Sequence, residues 1–205
     1  MINKYSRNII NCNLKKTIEN SIKLKSKIFK YEKEINLTIL RIYQAIKKNK
    51  KIFICGNGGS AADAQHLAAE FLVRLRPGIN RRPLPIISLA QDTSTLTACS
   101  NDYGFEYIFS RNLQALANKG DLLICISTSG NSKNIINVLK QANKMKIHSI
   151  SLLGSGGGGA RKLSKINIII PSNITARIQE CHIFLGHFVL ESVENLLLKK
   201  ISYYD

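Results

Sequence analysis

The chain has 205 residues, 44% hydrophobic and 21% charged, which suits one globular domain with a sizeable core. No apolar run approaches the ~18 residues of a membrane span, and the polar start Met1-Ile2-Asn3-Lys4-Tyr5-Ser6-Arg7 lacks a signal peptide's apolar stretch, so a cytoplasmic protein with no membrane partner is expected. The net charge of +17 raises nucleic acid as a partner, but residues 1–50 alone hold 13 Lys/Arg against 3 Asp/Glu, and no zinc-finger, helix-turn-helix or RNP pattern accompanies them, so none is expected.

Along the chain, apolar residues at Leu24, Ile28, Tyr31, Ile35, Ile39, Ile42 and Ile46 recur every three or four positions. That spacing predicts one stripe of a long amphipathic helix. The stripe must cover either the domain's own side or a partner subunit, and a subunit contact is favoured. Residues 1–50 are therefore an N-terminal helical arm, and 51–200 the domain proper. In the domain, short apolar strands are predicted at Lys51–Cys55, Leu84–Leu89, Asp121–Ile126, His148–Leu153 and Ile166–Ile170. Helices are predicted from about Ser60, over Phe105–Asn118, over Asn131–Lys146 and over Thr175–Lys200. This alternation predicts a single α/β domain, a doubly wound, flavodoxin-like parallel sheet of five strands flanked by helices. The five cysteines are odd in number, scattered and without CxxC spacing, as expected of reduced thiols.

Ligands of such sheets bind beyond the carboxyl ends of the strands. The first strand ends in Gly56-Asn57-Gly58-Gly59-Ser60, and the third in Ser127-Thr128-Ser129-Gly130-Asn131-Ser132. The second of these puts four hydroxyls and several backbone N–H groups at a helix start, where unsatisfied donors and a partial positive charge attract phosphate. A plain helix cap would need one such residue. The fourth strand ends in Gly154-Ser155-Gly156-Gly157-Gly158-Gly159. It fits GxGxxG in form, but no acidic residue closes the next strand where a ribose would sit, so a flexible loop is expected rather than a dinucleotide site. There is no GxxxxGK[ST] for nucleotide hydrolysis.

His66 and Glu70 stand four apart on one helical face. Gln179 and His187 stand eight apart on another helix, with His182 between them read as a packing or surface residue. Imidazole and carboxylate on one face, with a second imidazole elsewhere, suit either a metal site or an acid–base pair. Gln179 and His187 lie ~12 Å apart along their helix, so they share an ion only if both side chains lean together or if subunits contribute jointly.

Gly56-Asn57-Gly58-Gly59-Ser60-Ala61, then Asp63-Ala64-Gln65-His66 and Glu70, resembles the first motif of the SIS (sugar isomerase) family, and residues 127–132 resemble its phosphate loop. Ser100-Asn101-Asp102-Tyr103-Gly104-Phe105 and Ala176-Arg177-Ile178-Gln179-Glu180 resemble the phosphoheptose isomerase branch of that family. The resemblance runs from about Lys51 to Leu198. It implies a single SIS domain and an aldose–ketose isomerisation of sedoheptulose 7-phosphate to D-glycero-D-manno-heptose 7-phosphate, the first step towards the ADP-heptose of lipopolysaccharide core. It also implies a homotetramer with active sites at subunit interfaces. A zinc ion is implied on His66, Glu70, Gln179 and His187, with Glu70 as the base and His187 as its acid/base partner. The substrate would be held by Asn57, Gly58, Gly59, Ser60, Glu70, Asp92, Ser127, Thr128, Ser129, Ser132 and Gln179, with Arg74 meeting the sugar or its phosphate. Gly154–Gly159 departs from the usual family loop. A non-enzymatic SIS tetramer that binds the replication initiator shares several of these motifs. In that relative the carboxylate matching Glu70 and the histidine matching His187 are replaced, and this chain keeps both. A sugar-phosphate sensor would keep the fold and need neither.

Overall fold

The computed structural model describes residues 4–199. The first three residues of the expected arm, and Lys200 at the expected end of the last helix, lie outside them. The arm consists of helix α1 (Lys4–Ser26), a 3₁₀ turn (Lys27–Tyr31) and helix α2 (Glu32–Lys47). The predicted stripe runs across the turn, so the arm is one helical run broken once.

The domain follows as β1 (Ile52–Gly56), α3 (Gly59–Leu72), β2 (Ile86–Ser88), α4 (Thr93–Asp102), a 3₁₀ turn (Phe105–Tyr107), α5 (Ile108–Leu116), β3 (Leu122–Ser127), α6 (Lys133–Lys144), β4 (His148–Leu153), β5 (Ile166–Ile169) and α7 (Thr175–Leu198). All strand pairs are parallel, in the order β2-β1-β3-β4-β5, with Ile54 opposite Ser88 and Cys55 opposite Cys125. This is the expected flavodoxin-like sheet.

Strand residues alternate between two cores. Ile52, Ile54, Ile124, Ile126, Ile150 and Ile168 pack towards α2, α3 and α7. Phe53, Cys55, Leu123, Cys125 and Leu153 pack towards α5 and α6. Both faces are covered, which is why the strands read as continuous apolar runs.

The stripe of the arm belongs to the first of these cores, which corrects the subunit contact favoured for it. Leu24, Ile28, Ile35, Ile39, Ile42 and Ile46 are buried beside α7 and the sheet of their own chain. The apolar residues left exposed lie on other faces: Ile10, Leu14, Ile18 and Ile22 on α1, Phe29 at 81% exposure, and Phe184 and Phe188 on α7. Ile22, Phe29, Phe184 and Phe188 line a hollow of about 640 Å³ between the arm and α7.

Two further expectations need correction. An 18-residue window of α7 reaches a mean hydropathy of 1.2, so by length and composition this helix could cross a membrane. It is instead a core helix, burying Ile178, Cys181, Leu185, Val189, Val193 and an ion-paired glutamate, Glu194. The Gly154–Gly159 loop is not a floppy connection. It forms a 3₁₀ turn packed on the loop after β3, with Gly159 N–H donating to Asn131 Oδ1 (2.9 Å) and Ala160 N–H to Gly130 O (2.9 Å).

The five cysteines are unpaired, with Cys55 and Cys125 Sγ atoms 3.7 Å apart in the core. His182 is a packing residue. Fully buried on α7, its Nε2 bonds Leu153 O (3.1 Å), Nδ1 has no partner, and burial pulls its pKa down to about 4. Because folding depresses this pKa, the unfolded chain takes up the proton first. Stability from this group is full above pH ~6.5 and drains as pH falls towards 4, by about 3 kcal/mol in all. Thermal melts of wild type and His182→Leu between pH 7.5 and 4 should show a shallower acid loss in the variant.

Candidate active site

The turn after β1 is shaped for close approach. Gly58 has φ +54°, a left-handed conformation that favours glycine. A Cβ on Gly59 would come within 2.5 Å of Gln179 Nε2, so this glycine lets the Gln179 side chain lie against the start of α3. Asn57 is tied across to α6 by a reciprocal amide pair with Asn134 (2.9 and 2.8 Å). Ser60 is buried in the first turn of α3, its N–H given to Asn57 O (3.0 Å).

The loop after β3 faces this turn. Ser127 Oγ accepts from Gly130 N–H (3.1 Å), and Ser129 Oγ from Asn131 N–H (3.2 Å), so two of the four hydroxyls shape the loop itself. Thr128 is half-buried beside them. Ser132 is the N-cap residue of α6 but makes no side-chain cap bond. Capping therefore does not account for its hydroxyl, and the helix start keeps donors for an anion. Gly130 (φ +66°) brings the loop against the β4 loop so closely that a Cβ would run into Gly157 O.

Asp92 is exposed and caps α4, accepting from Ser94 N–H (3.0 Å) and the Thr95 hydroxyl. Those bonds hold its pKa below the usual carboxylate value. Arg74 is exposed two residues past the end of α3, one turn beyond Glu70. It stands with the Glu70 end of α3 rather than with its amino end.

Higher on α3 the titratable residues converge. His66 Nε2 lies 2.9 Å from His187 Nε2 and 3.5 Å from Glu70 Oε1. The two rings meet edge to face with centroids 5.0 Å apart. One donor atom from each of His66, Glu70 and His187 lies within 4.8 Å of the other two. Two nitrogens and a carboxylate at that spacing fit a tetrahedral zinc ion, leaving one position open, as in catalytic sites. The His66 side chain is half-exposed, so the cluster opens to the surface.

The Gln179 side chain lies against Gly59, at the start of α3, seven residues before His66. Of the four ligands the resemblance implies, His66, Glu70 and His187 meet within one chain. A further carboxylate of the first motif stands beside the cluster. Asp63, one turn before His66, is half-buried with Oδ2 unpartnered; burial raises its pKa against the pull of His66 and His187. Its spacing of three from His66 was the available signal.

A parallel sheet in the order 2-1-3-4-5, a hydroxyl-lined loop at a helix start and a His-Glu-His cluster define a sugar-phosphate-handling α/β domain. Residues 18–154 match the SIS domain family. The phosphoheptose isomerase of Campylobacter concisus is 46% identical over 185 residues, covering 88% of this chain and 97% of that protein. The solved phosphoheptose isomerase of Neisseria gonorrhoeae superposes with a TM-score of 0.84 at 37% identity, covering 91% of this chain and 99% of the other. That of Francisella tularensis gives 0.85 at 31% identity, covering 89% and 97%. The chain belongs to the SIS domain family and, within it, to the phosphoheptose isomerases.

Gly130→Ala tests the loop. A Cβ there meets both a left-handed backbone and Gly157 O, a strain of order 1–3 kcal/mol, so affinity for a sugar phosphate should fall by about tenfold or more. Calorimetric titration with sedoheptulose 7-phosphate, set beside melts to confirm folding, reads the change.

Proposed function

We propose that this chain interconverts sedoheptulose 7-phosphate and D-glycero-D-manno-heptose 7-phosphate, supplying the heptose of lipopolysaccharide core. The observation that carries the reading is the convergence of His66, Glu70 and His187 on two adjacent helices in a phosphoheptose isomerase family member.

In this reading the Ser127–Ser132 loop and the turn Asn57-Gly58-Gly59-Ser60 hold the phosphate end. Gln179 and Asp92 meet sugar hydroxyls, and Arg74 meets the end nearest Glu70. Zinc on His66, Glu70 and His187, with Gln179 held to substrate, would act as a Lewis acid on the sugar's oxygens. Glu70 takes a proton from C1 of the open-chain ketose, giving an enediol, and returns one at C2. Through the ring nitrogen that a zinc ion would leave free, His187 delivers a proton to O2 and accepts the one from O1. One proton leaves carbon 1 and one reaches carbon 2, so the reaction is redox-neutral overall.

We assign the working form as a cytoplasmic homotetramer. The exposed row Ile10, Leu14, Ile18 and Ile22, with Phe29, Phe184 and Phe188, is apolar surface of the kind subunits cover. Unpaired cysteines suit a reducing compartment.

Purified protein, with and without zinc, is incubated with sedoheptulose 7-phosphate and the aldose followed by NMR, with mass determined by light scattering. Wild type should turn over as a tetramer, and Glu70→Gln and His187→Ala should each lose about a hundredfold or more in kcat, the scale of a lost general acid or base. No turnover by folded, zinc-loaded wild type would sink the enzyme reading.

A further inference from the structure

Beyond Glu70, α3 ends at a buried charged node. Glu194 on α7 is fully buried, with Oε2 2.6 Å from Arg76 Nε and Oε1 2.5 Å from Arg81 Nε. Arg76 Nη2 also donates to Asn195 Oδ1 (2.7 Å) on α7. Arg81 reaches α3 as well. Its Nη2 donates to Glu70 O (2.8 Å), its Nη1 to Phe71 O (3.0 Å) and Arg82 O (3.2 Å), and its guanidinium stacks over the Phe71 ring at 5.4 Å. One fork thus ties the last carbonyls of α3 to a carboxylate of α7.

From this geometry we infer that Arg81, anchored by Glu194, is a positioning residue that fixes Glu70 relative to His187. The inference rests on the proposed roles of those two residues. Glu194 follows His187 by seven residues, two turns on the same face of α7. Arg81 therefore joins the residue that carries the base to the face that carries its partner. The site's third member, His66, lies one turn before Glu70 on the same helix and takes its level from the same tie. A helix end holds its carbonyls only weakly unless they are capped. A planar guanidinium with spread donors can cap two carbonyls and pair with a carboxylate at once, whereas an ammonium on a flexible stem cannot.

The test is Arg81→Lys, which keeps the charge beside Glu194 and loses the fork, with Arg81→Met as the harsher variant. Turnover of sedoheptulose 7-phosphate and zinc affinity by competition with a chromophoric chelator are measured together, and melts verify folding. For folded Arg81→Lys, kcat should fall and zinc bind more weakly, each by about tenfold or more, the scale of lost outer-shell support, while KM stays within about twofold of wild type because the phosphate loops are untouched. Unchanged kcat and zinc affinity, or a rise in KM alone, would overturn the assignment. So would failure of Arg81→Lys to fold, since the node would then hold the fold rather than Glu70. If wild type binds zinc without turning over the sugar, the proposed reaction fails, and the zinc affinities of wild type and Arg81→Lys still decide the positioning role. A wild type that binds no zinc and shows no turnover overturns both.

Discussion

Helices α3 and α7 run parallel and so close together that position 186 has no room for a side chain: a Cβ there would lie 2.5 Å from Leu67 Cδ1. Glycine inside a helix costs roughly 1 kcal/mol against alanine, and here it permits the approach on which the rest depends. At that separation His66 and His187 meet tip to tip, one residue from the contact on either side. Below, Gln179 rests on Gly59, and above, the Arg81 fork joins the two helix ends. Three contacts at three levels leave the pair little freedom to slide, which a site assembled from both helices requires.

The loops and the cluster divide the work along the length of α3. Its start, with the loop after β3, offers backbone donors and hydroxyls suited to a phosphate that takes no part in the chemistry. About two turns further on, side chains able to move protons come together. In this reading the grip on the remote phosphate is binding energy spent on presenting the carbonyl end at the right place. The Asn57–Asn134 amide pair holds the two loops in one frame, and the β4 loop braces them from behind.

Much of this was legible in the sequence because it is local. Strand runs buried on both faces are continuously apolar, glycine and hydroxyl runs mark strand ends, and His66 and Glu70 show their shared face by spacing alone. What escaped is what only tertiary contact decides. Helix α4 was missed because Thr93–Asp102 has little apolar periodicity; its start is signalled only by the Asp92 cap. The stripe from Leu24 to Ile46 favours a partner when read alone, yet the chain's own sheet and α7 cover it, since an amphipathic face does not say what covers it. Gly154–Gly159 looks mobile by composition, and it is the amide of Asn131, distant in sequence, that fixes it. The pairing of Gln179 with Gly59 and of His187 with His66 follows from the parallel course of α3 and α7, which no spacing within one helix reveals. Arg81 lies in an arginine- and proline-rich connection with no periodicity to mark a buried side chain, and only the fold shows its guanidinium against Glu194.

The parallel course of α3 and α7 also sets an electrical direction. Their amino ends, with that of α6, point to the side where the loops gather, and the far ends of α3 and α7 are met by the guanidinium groups of Arg76 and Arg81. Peptide dipoles thus place partial positive charge where an anion would sit and partial negative charge where fixed cations already lie. This attraction acts within a turn of each helix end, over distances shorter than the ~8 Å screening length of physiological salt. The lysine surplus lies elsewhere, much of it on the arm. In the proposed reading a phosphate on the loops would be gripped through short-range dipoles fixed in the backbone, which salt weakens less than it would weaken long-range capture by surface lysines.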